Sequence, residues 1–349
     1  MHLRFFQKSL YLLLALSVFP ILLLVLSFLK VKESIISPVA IQPNLEKVMS
    51  QKVIPSLSKT KNNFTLHHQS QFLVKKANAS ESTINARSYI VVDLQTGEIL
   101  DEKNSDQKLP IASLTKIMTA VTALDLADPN DIFTITNAAS RVIPTKLGVI
   151  PNEHMRLSEL LEGMLMTSAN DAAKVIQEGV DTQLGQPIFI KAMNEKAKFL
   201  GLTDSSFANP QGFDDPNNYS TVKDLSILSE YALKNYPLIS EIVKKDYVFL
   251  PANSIHKQFD LYNWNGLIGV YPETIGMKIG NTDDAGKTTI VVSNRSGKKI
   301  LAILLGAPDI VSRDLGAAQL LDNGYATTLN LPRINITRRQ LQEKYNTWH

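Results

Sequence analysis

The chain of 349 residues contains no cysteine, which removes thiol catalysis, disulfides and cysteine-ligated metals at once. Histidine is nearly as scarce, with 6 residues that show no metal-ligand spacing; the one adjacent pair, His67-His68, lies in a polar stretch and reads as solvated. No metal or cofactor is expected. Charge of one sign is also missing in excess: the formal net charge is +3, and the basic residues are scattered rather than blocked, so nucleic acid is excluded as a partner. No internal repeat is visible. What is present is 44% hydrophobic and 20% charged residues, enough for one large globular domain with extensions or for two small ones.

Charge is absent altogether from Leu10 to Leu29, 20 residues that would span roughly 30 Å as a helix. Arg4 and Lys8 precede this run, so the positive-inside tendency keeps residues 1–9 in the cytoplasm and sends the rest outward. The apolar core exceeds a signal-peptide h-region and no small-x-small site follows it, which favours an uncleaved transmembrane signal anchor at 10–29 over a cleaved signal peptide. Residues 30–85 are rich in Ser, Lys, Gln and Asn without sustained periodicity and read as an extracytoplasmic linker. The expected location is a single-pass protein of the cell membrane with its catalytic domain outside.

Residues 86–331 carry the patterns of folded structure. Ser88 to Asp93 reads as a strand, Gln95-Thr96-Gly97 as a turn and Glu98-Ile99-Leu100 as a returning strand. Helices are expected over Ser113 to Leu126, Leu157 to Met166, Asp171 to Gly179, Pro187 to Leu200 and Thr221 to Asn235, the last with a Thr221/Asp224 capping box. Strands return at Lys287 to Ser293 and Lys299 to Leu305 around the turn Asn294-Arg295-Ser296-Gly297, before a helix near Ser312 to Leu321. Residues 332–349 form a short basic tail whose Arg338-Arg339 pair reads as a solvated face.

The chemistry centres on Ala112-Ser113-Leu114-Thr115-Lys116. A serine three residues before a lysine puts both side chains on one helix face, so the amine can serve the hydroxyl as its base once burial or nearby positive charge lowers the lysine pKa. The spacing alone is not specific, because Ser27, Ser56, Ser58, Ser105, Ser220, Ser254 and Ser296 share it. Only Ser113 opens a segment with helical apolar spacing, Ile117 to Leu124. Downstream, Ser168 and Asn170 bring a second hydroxyl and an amide to a turn that opens a helix; in isolation such residues would simply cap it. A third element, Gly276-Met277-Lys278-Ile279-Gly280-Asn281, sits before a strand, with Lys278 offering charge to an anion and Gly280 letting a substrate backbone approach.

These three elements, in this order, resemble the Ser-x-x-Lys, Ser-x-Asn and Lys-Thr-Gly motifs of penicillin-binding proteins. From Ser88 to about Tyr325 the chain is similar to the low-molecular-mass D-alanyl-D-alanine carboxypeptidases, including the phrases Leu94 to Leu100, Pro110 to Thr119, Phe207-Ala208-Asn209-Pro210 and Tyr219-Ser220-Thr221. The resemblance implies an α/β fold of the α+β type: a central antiparallel sheet flanked by helices with a mainly helical region, β-lactamase/transpeptidase-like, here preceded by one N-terminal transmembrane helix. It implies a carboxypeptidase that removes the terminal D-alanine from the peptidoglycan pentapeptide, and β-lactams as covalent inhibitors. Ser113 would be the nucleophile, Lys116 and Ser168 its proton-handling partners, and Asn170, Lys278, Ile279, Gly280 and Asn281 the substrate-binding residues, with the backbone N–H groups of Ser113 and Asn281 forming an oxyanion hole. A D,D-endopeptidase uses the same residues; a β-lactamase is disfavoured because no Glu-x-x-x-Asn segment lies between the second and third motifs.

One position departs from the pattern. Ile279 stands where the family has threonine, whose hydroxyl would help hold the substrate carboxylate; such a bond is worth on the order of 1.5–3 kcal/mol, so a weakly active or inactive peptidoglycan-binding homologue is the third reading. Thr282 and Arg313 are candidates for a replacement contact, Arg313 otherwise reading as a surface arginine.

Overall fold

The structure is a computed structural model that describes residues 84–348. The expected transmembrane segment 10–29 and nearly all of the linker lie outside the described residues; among those described, no helix is long and apolar enough to cross a membrane.

The strands in chain order are β1 (Ser88–Asp93), β2 (Ile99–Lys103), β3 (Leu109–Pro110), β4 (Ile132–Thr134), β5 (His154–Arg156), β6 (Tyr219–Ser220), β7 (Tyr247–Leu250), β8 (Phe259–Tyr262), β9 (Thr274–Thr282), β10 (Gly286–Arg295) and β11 (Lys298–Ala307). Five of them form an antiparallel sheet in the order β2-β1-β11-β10-β9; the others pair two by two as β3-β6, β4-β5 and β7-β8. This is the α+β architecture expected, with the mainly helical region inserted between β2 and β9.

Why the sheet sits in the middle is visible in β11, where Ile300 to Leu305 is an unbroken apolar run, as a strand covered on both faces requires. Alternation then divides its side chains: Leu301, Ile303 and Leu305 join Ile90, Val92, Ile290 and Val292 in the core shared with the helical region. Ile300, Ala302 and Leu304 join Val91 and Val291 in a second core under the helix Ile310–Leu329.

That helix runs well past the Leu321 expected. A Cβ on Gly324 would lie 2.8 Å from Ile300 Cγ2, so the glycine is a notch that lets the helix lie close to the sheet. The helix Asn170–Gln183 outruns its expected end for the same reason: Gly179 accommodates the Phe133 ring, 2.3 Å from where its Cβ would stand. The helix at Thr221 has half the capping box expected. Thr221 Oγ1 accepts the Asp224 N–H at 3.0 Å, but the Asp224 carboxylate turns away to Asp204 N and Ser205 Oγ. Finally, the basic tail carries a helix, Arg338–Tyr345, that leaves Arg338 and Arg339 exposed and packs through the fully buried Leu341.

A correction concerns the third motif. Lys278-Ile279-Gly280 does not precede a strand; it is the middle of β9, the sheet edge. Two glycines depress strand propensity there, but both are demanded by close approach. A Cβ on Gly276 would fall 2.4 Å from the Val243 carbonyl oxygen, and one on Gly280 would fall 3.0 Å from Ser113 N and 2.4 Å from Thr288 Oγ1.

Candidate active site

Ser113 lies in a single 3-10 turn, Ala112–Leu114, that runs directly into the α-helix Thr115–Leu126. Ala112 has φ +50, a left-handed value that a side chain adopts only under constraint, and its carbonyl is wedged against Gly212, where a Cβ would stand 2.0 Å from the oxygen. The nucleophile turn is therefore braced from outside its own helix. Asn209 Oδ1 holds the brace by accepting the N–H groups of Gly212 (2.7 Å) and Phe213 (2.9 Å), and Thr119 Oγ1 donates to the Pro210 carbonyl at 2.8 Å.

Lys116 is fully buried, and its Nζ has three partners: Ser113 Oγ at 2.7 Å, Asn170 Oδ1 at 2.8 Å and the Gln211 carbonyl at 2.5 Å. Burial first, and the charge of Lys278 second, hold its pKa well below the ordinary lysine range, against an opposing pull from Asp171. A neutral amine has two N–H donors and one lone pair. Two of its three partners are carbonyl oxygens that can only accept, so the donors go to them and the lone pair faces the Ser113 hydroxyl. The orientation of Asn170 is fixed independently, because its Nδ2 donates to the Ile143 carbonyl at 3.2 Å and its backbone N–H to the Thr145 carbonyl at 2.7 Å.

Ser168 and Asn170 are on the turn expected. Ser168 takes φ +61, which turns the chain sharply into the helix Asn170–Gln183; its hydroxyl has no hydrogen-bond partner among the described residues. Asp171, expected from sequence only to open the helix, has a larger task. Its buried carboxylate accepts the N–H groups of Leu147, Gly148 and Val149, pinning the segment whose Ile143 and Thr145 carbonyls hold Asn170.

Opposite, β9 brings the third motif to the nucleophile. Gly280 lies against Ser113 N, and its missing side chain keeps that N–H clear. Lys278 is buried, and its Nζ donates to the Ile279 carbonyl at 2.9 Å; burial first, then the charge of Arg313, bring its pKa down to about 7. Ile279 is half-buried and Asn281 exposed, its amide oxygen accepting from Lys287. Of the two replacement contacts considered, Thr282 is engaged in its hairpin, accepting Ala285 N–H at 3.2 Å. Arg313 is not a surface arginine: it is 1% exposed and paired with Asp314. The partners absent from the sequence reading, at Gln211, Ile143 and Thr145, contribute backbone carbonyls, which carry no residue signature; only the turn-forming Asn209-Pro210 hinted at the brace.

Comparison with known proteins agrees with this geometry. Residues 75–309 match the family model for D-alanyl-D-alanine carboxypeptidase. The chain is 31% identical over 252 residues to the D-alanyl-D-alanine carboxypeptidase DacF of Bacillus subtilis, covering 71% of this chain and 64% of that one. It is 30% identical over 256 residues to DacA of Haemophilus influenzae, covering 70% and 62%. It thus spans less than two thirds of the length of these relatives. Among solved structures, penicillin-binding protein D2 of Listeria monocytogenes in its ampicillin-bound form superposes with a TM-score of 0.63 at 29% identity, over 72% of this chain and all of that one. A buried lysine paired with a serine on one helical segment beside a motif-bearing sheet edge, together with a family match over most of the folded region, places this chain in the D-alanyl-D-alanine carboxypeptidase family.

Proposed function

We propose that the chain is a serine-type D-Ala-D-Ala carboxypeptidase that removes the terminal D-alanine from peptidoglycan stem peptides. The observation that carries this reading is Lys116, a buried amine whose Nζ lies 2.7 Å from Ser113 Oγ and within hydrogen-bond reach of two carbonyl oxygens.

Ser113 Oγ attacks the carbonyl carbon of the penultimate D-alanine while Lys116 Nζ takes the hydroxyl proton. The oxyanion forms beside Ser113 N and the β9 edge, where preorganised N–H groups stabilise it. Collapse breaks the peptide bond, and the proton held at Lys116 passes to the departing D-alanine amine, a transfer in which we assign Ser168 the role of relay. Water then attacks the ester, the same lysine accepting its proton, and returns Ser113 with release of the shortened peptide. Lys278 supplies the positive charge for the substrate's terminal carboxylate.

β-Lactams present a strained amide to the same serine, in keeping with the ampicillin-bound neighbour. The segment 10–29 would hold the enzyme at the membrane, facing its polymeric substrate.

Incubation of the full chain with a fluorescent penicillin, followed by mass spectrometry of the adduct, tests the reading. A single adduct at Ser113, absent in Ser113→Ala, is expected; an unlabelled folded protein would favour a wall-binding homologue instead.

A further inference from the structure

The ribbon β7-β8 presents an aromatic face that the reaction itself does not use. Its register sets Tyr247 opposite Tyr262 and Phe249 opposite Asp260, and alternation turns these four side chains to one face while Leu250, Phe259 and Leu261 turn into the core. Tyr247 is 46% and Phe249 50% exposed, Asp260 is exposed and Tyr262 half-buried, so nothing among the described residues covers the face. The rings are organised rather than scattered. The Tyr247 and Tyr262 centroids lie 5.0 Å apart at an interplanar angle of 46°, and the Tyr247 hydroxyl donates to Asp260 Oδ1 at 2.5 Å. Asp260 Oδ2 has no hydrogen-bond partner among the described residues, so an acceptor stands open beside the rings.

The root of the ribbon is tied to both walls of the cleft. Just beyond β8, the Trp264 N–H donates to the Met166 carbonyl at 3.1 Å, two residues before Ser168. Asn263 Nδ2 donates to the Val243 carbonyl at 3.2 Å, and that same oxygen is the one Gly276 of β9 accommodates, 2.4 Å from where its Cβ would stand. The ribbon thus grows from backbone that also holds the second and third motifs.

The chemistry of the face selects its occupant. A pyranose ring offers an apolar C–H face to an aromatic ring and, at its edge, hydroxyl and acetamido donors to a carboxylate, which is the combination that the three rings and Asp260 provide. A lipid surface is a poorer match. Interfacial patches attract anionic headgroups through free cations, whereas Asp260 puts a negative charge on this face. The lysines that flank the ribbon are already engaged: Lys244 with Glu241, Lys245 with Glu162, and Lys257 over the Phe259 ring at 5.4 Å.

We propose that the outer face of β7-β8 is a platform for the glycan strand of peptidoglycan, on which sugar rings stack while a stem peptide enters the cleft. This deepens the proposed function and rests on it, since the strand is the part of the polymeric substrate that carries the stem peptides.

The test uses the full chain in phosphatidylglycerol nanodiscs and glycan strands stripped of their stem peptides by an amidase. In the double variant Tyr247→Ala/Phe249→Ala, affinity for stripped glycan should fall about tenfold or more, as fits two lost stacking contacts. KM for D-alanine release from intact peptidoglycan should rise by a similar factor, with kcat/KM on a soluble pentapeptide and labelling by penicillin within about twofold of wild type. Phe249→Tyr, which keeps the ring, should bind as wild type, and Phe249→Ala alone should lose about threefold. Hydroxyl-radical footprinting identifies the occupant: Tyr247, Phe249 and Tyr262 should be oxidised in the nanodisc and protected once glycan is added. Rings protected without glycan, by lipid or by the chain itself, or still oxidised with it, would overturn the proposal. So would ring variants that bind stripped glycan as wild type does, or that lose pentapeptide turnover in equal measure. A wild-type protein that binds glycan through these rings yet neither labels with penicillin nor releases D-alanine would sink the carboxypeptidase reading and keep the platform.

Discussion

Lys116 Nζ and Asn170 Oδ1 lie 2.8 Å apart although 54 residues separate them in the chain. The contact decides the role of the lysine. Asn170 is locked by the Ile143 and Thr145 carbonyls, so its oxygen can only accept, and with the Gln211 carbonyl it occupies both N–H groups of a neutral amine. The lone pair is left to Ser113. Asn170→Leu should therefore fold, keep Ser113, and lose acylation by about 10- to 100-fold, because the amine is freed to turn its donors toward the serine. Stopped-flow acylation by a chromogenic cephalosporin measures this; an unchanged rate would show that Gln211 alone orients the lysine.

Ser168 supports a prediction in two directions. Its φ of +61 costs a side-chain-bearing residue about 1 kcal/mol, which glycine would not incur. Ser168→Gly should raise the melting temperature by a few degrees and slow acylation sharply. A variant that gains stability and keeps full activity would remove Ser168 from the proton path.

If Lys116 and Ser168 act on one proton, their losses should not add. Lys116→Ala and Ser168→Ala are each expected to reduce acylation severely, the double variant falling little below Lys116→Ala. Additive losses in a rate cycle at saturating β-lactam would separate the two residues.

The Lys278 pKa of about 7 sets a pH dependence whose sign is fixed. Lys278 holds an anion only when protonated, so kcat/KM for a pentapeptide with a free terminal carboxylate, the acid peptide, should decline as pH rises through about 7, relative to its C-terminal amide, the amide peptide. Lys278→Arg should abolish the decline, since a guanidinium keeps its proton. Folding responds oppositely. The unfolded chain, with an ordinary lysine pKa near 10.5, binds the proton that the folded one has released, so this residue makes stability rise from about pH 7 upward. The melting-temperature gain of Lys278→Met over wild type should accordingly shrink from pH 6 to pH 9.

Ile279→Thr should raise turnover of the acid peptide about tenfold and leave the amide unchanged. The Lys278 ammonium already donates to the Ile279 carbonyl, so a hydroxyl on that residue would stand next to the charge that receives the carboxylate. D-Alanine release from both peptides checks it; an equal gain on both, or none, would mean that the isoleucine is not a missing carboxylate contact.

The sequence by itself determined the elements whose side-chain pattern is local: the apolar run of β11, the helix Leu157–Met166, and the serine-lysine spacing of Ser113 and Lys116. Each is written within a few residues, where periodicity and pair spacing operate. Only the tertiary structure decided where the helices Asn170–Gln183 and Ile310–Leu329 end, because Gly179 and Gly324 act as contact notches once Phe133 and Ile300 lie against them. Only the tertiary structure placed the β9 motif within a strand, buried Arg313, and bound Tyr345 to its counter-ion. The acidity of Lys116 belongs to the same class. A pKa is set by desolvation and by charges brought close in space, and the carbonyls that orient the amine belong to Gln211 and, through Asn170, to Ile143 and Thr145, whose backbone oxygens every residue carries and no sequence can mark.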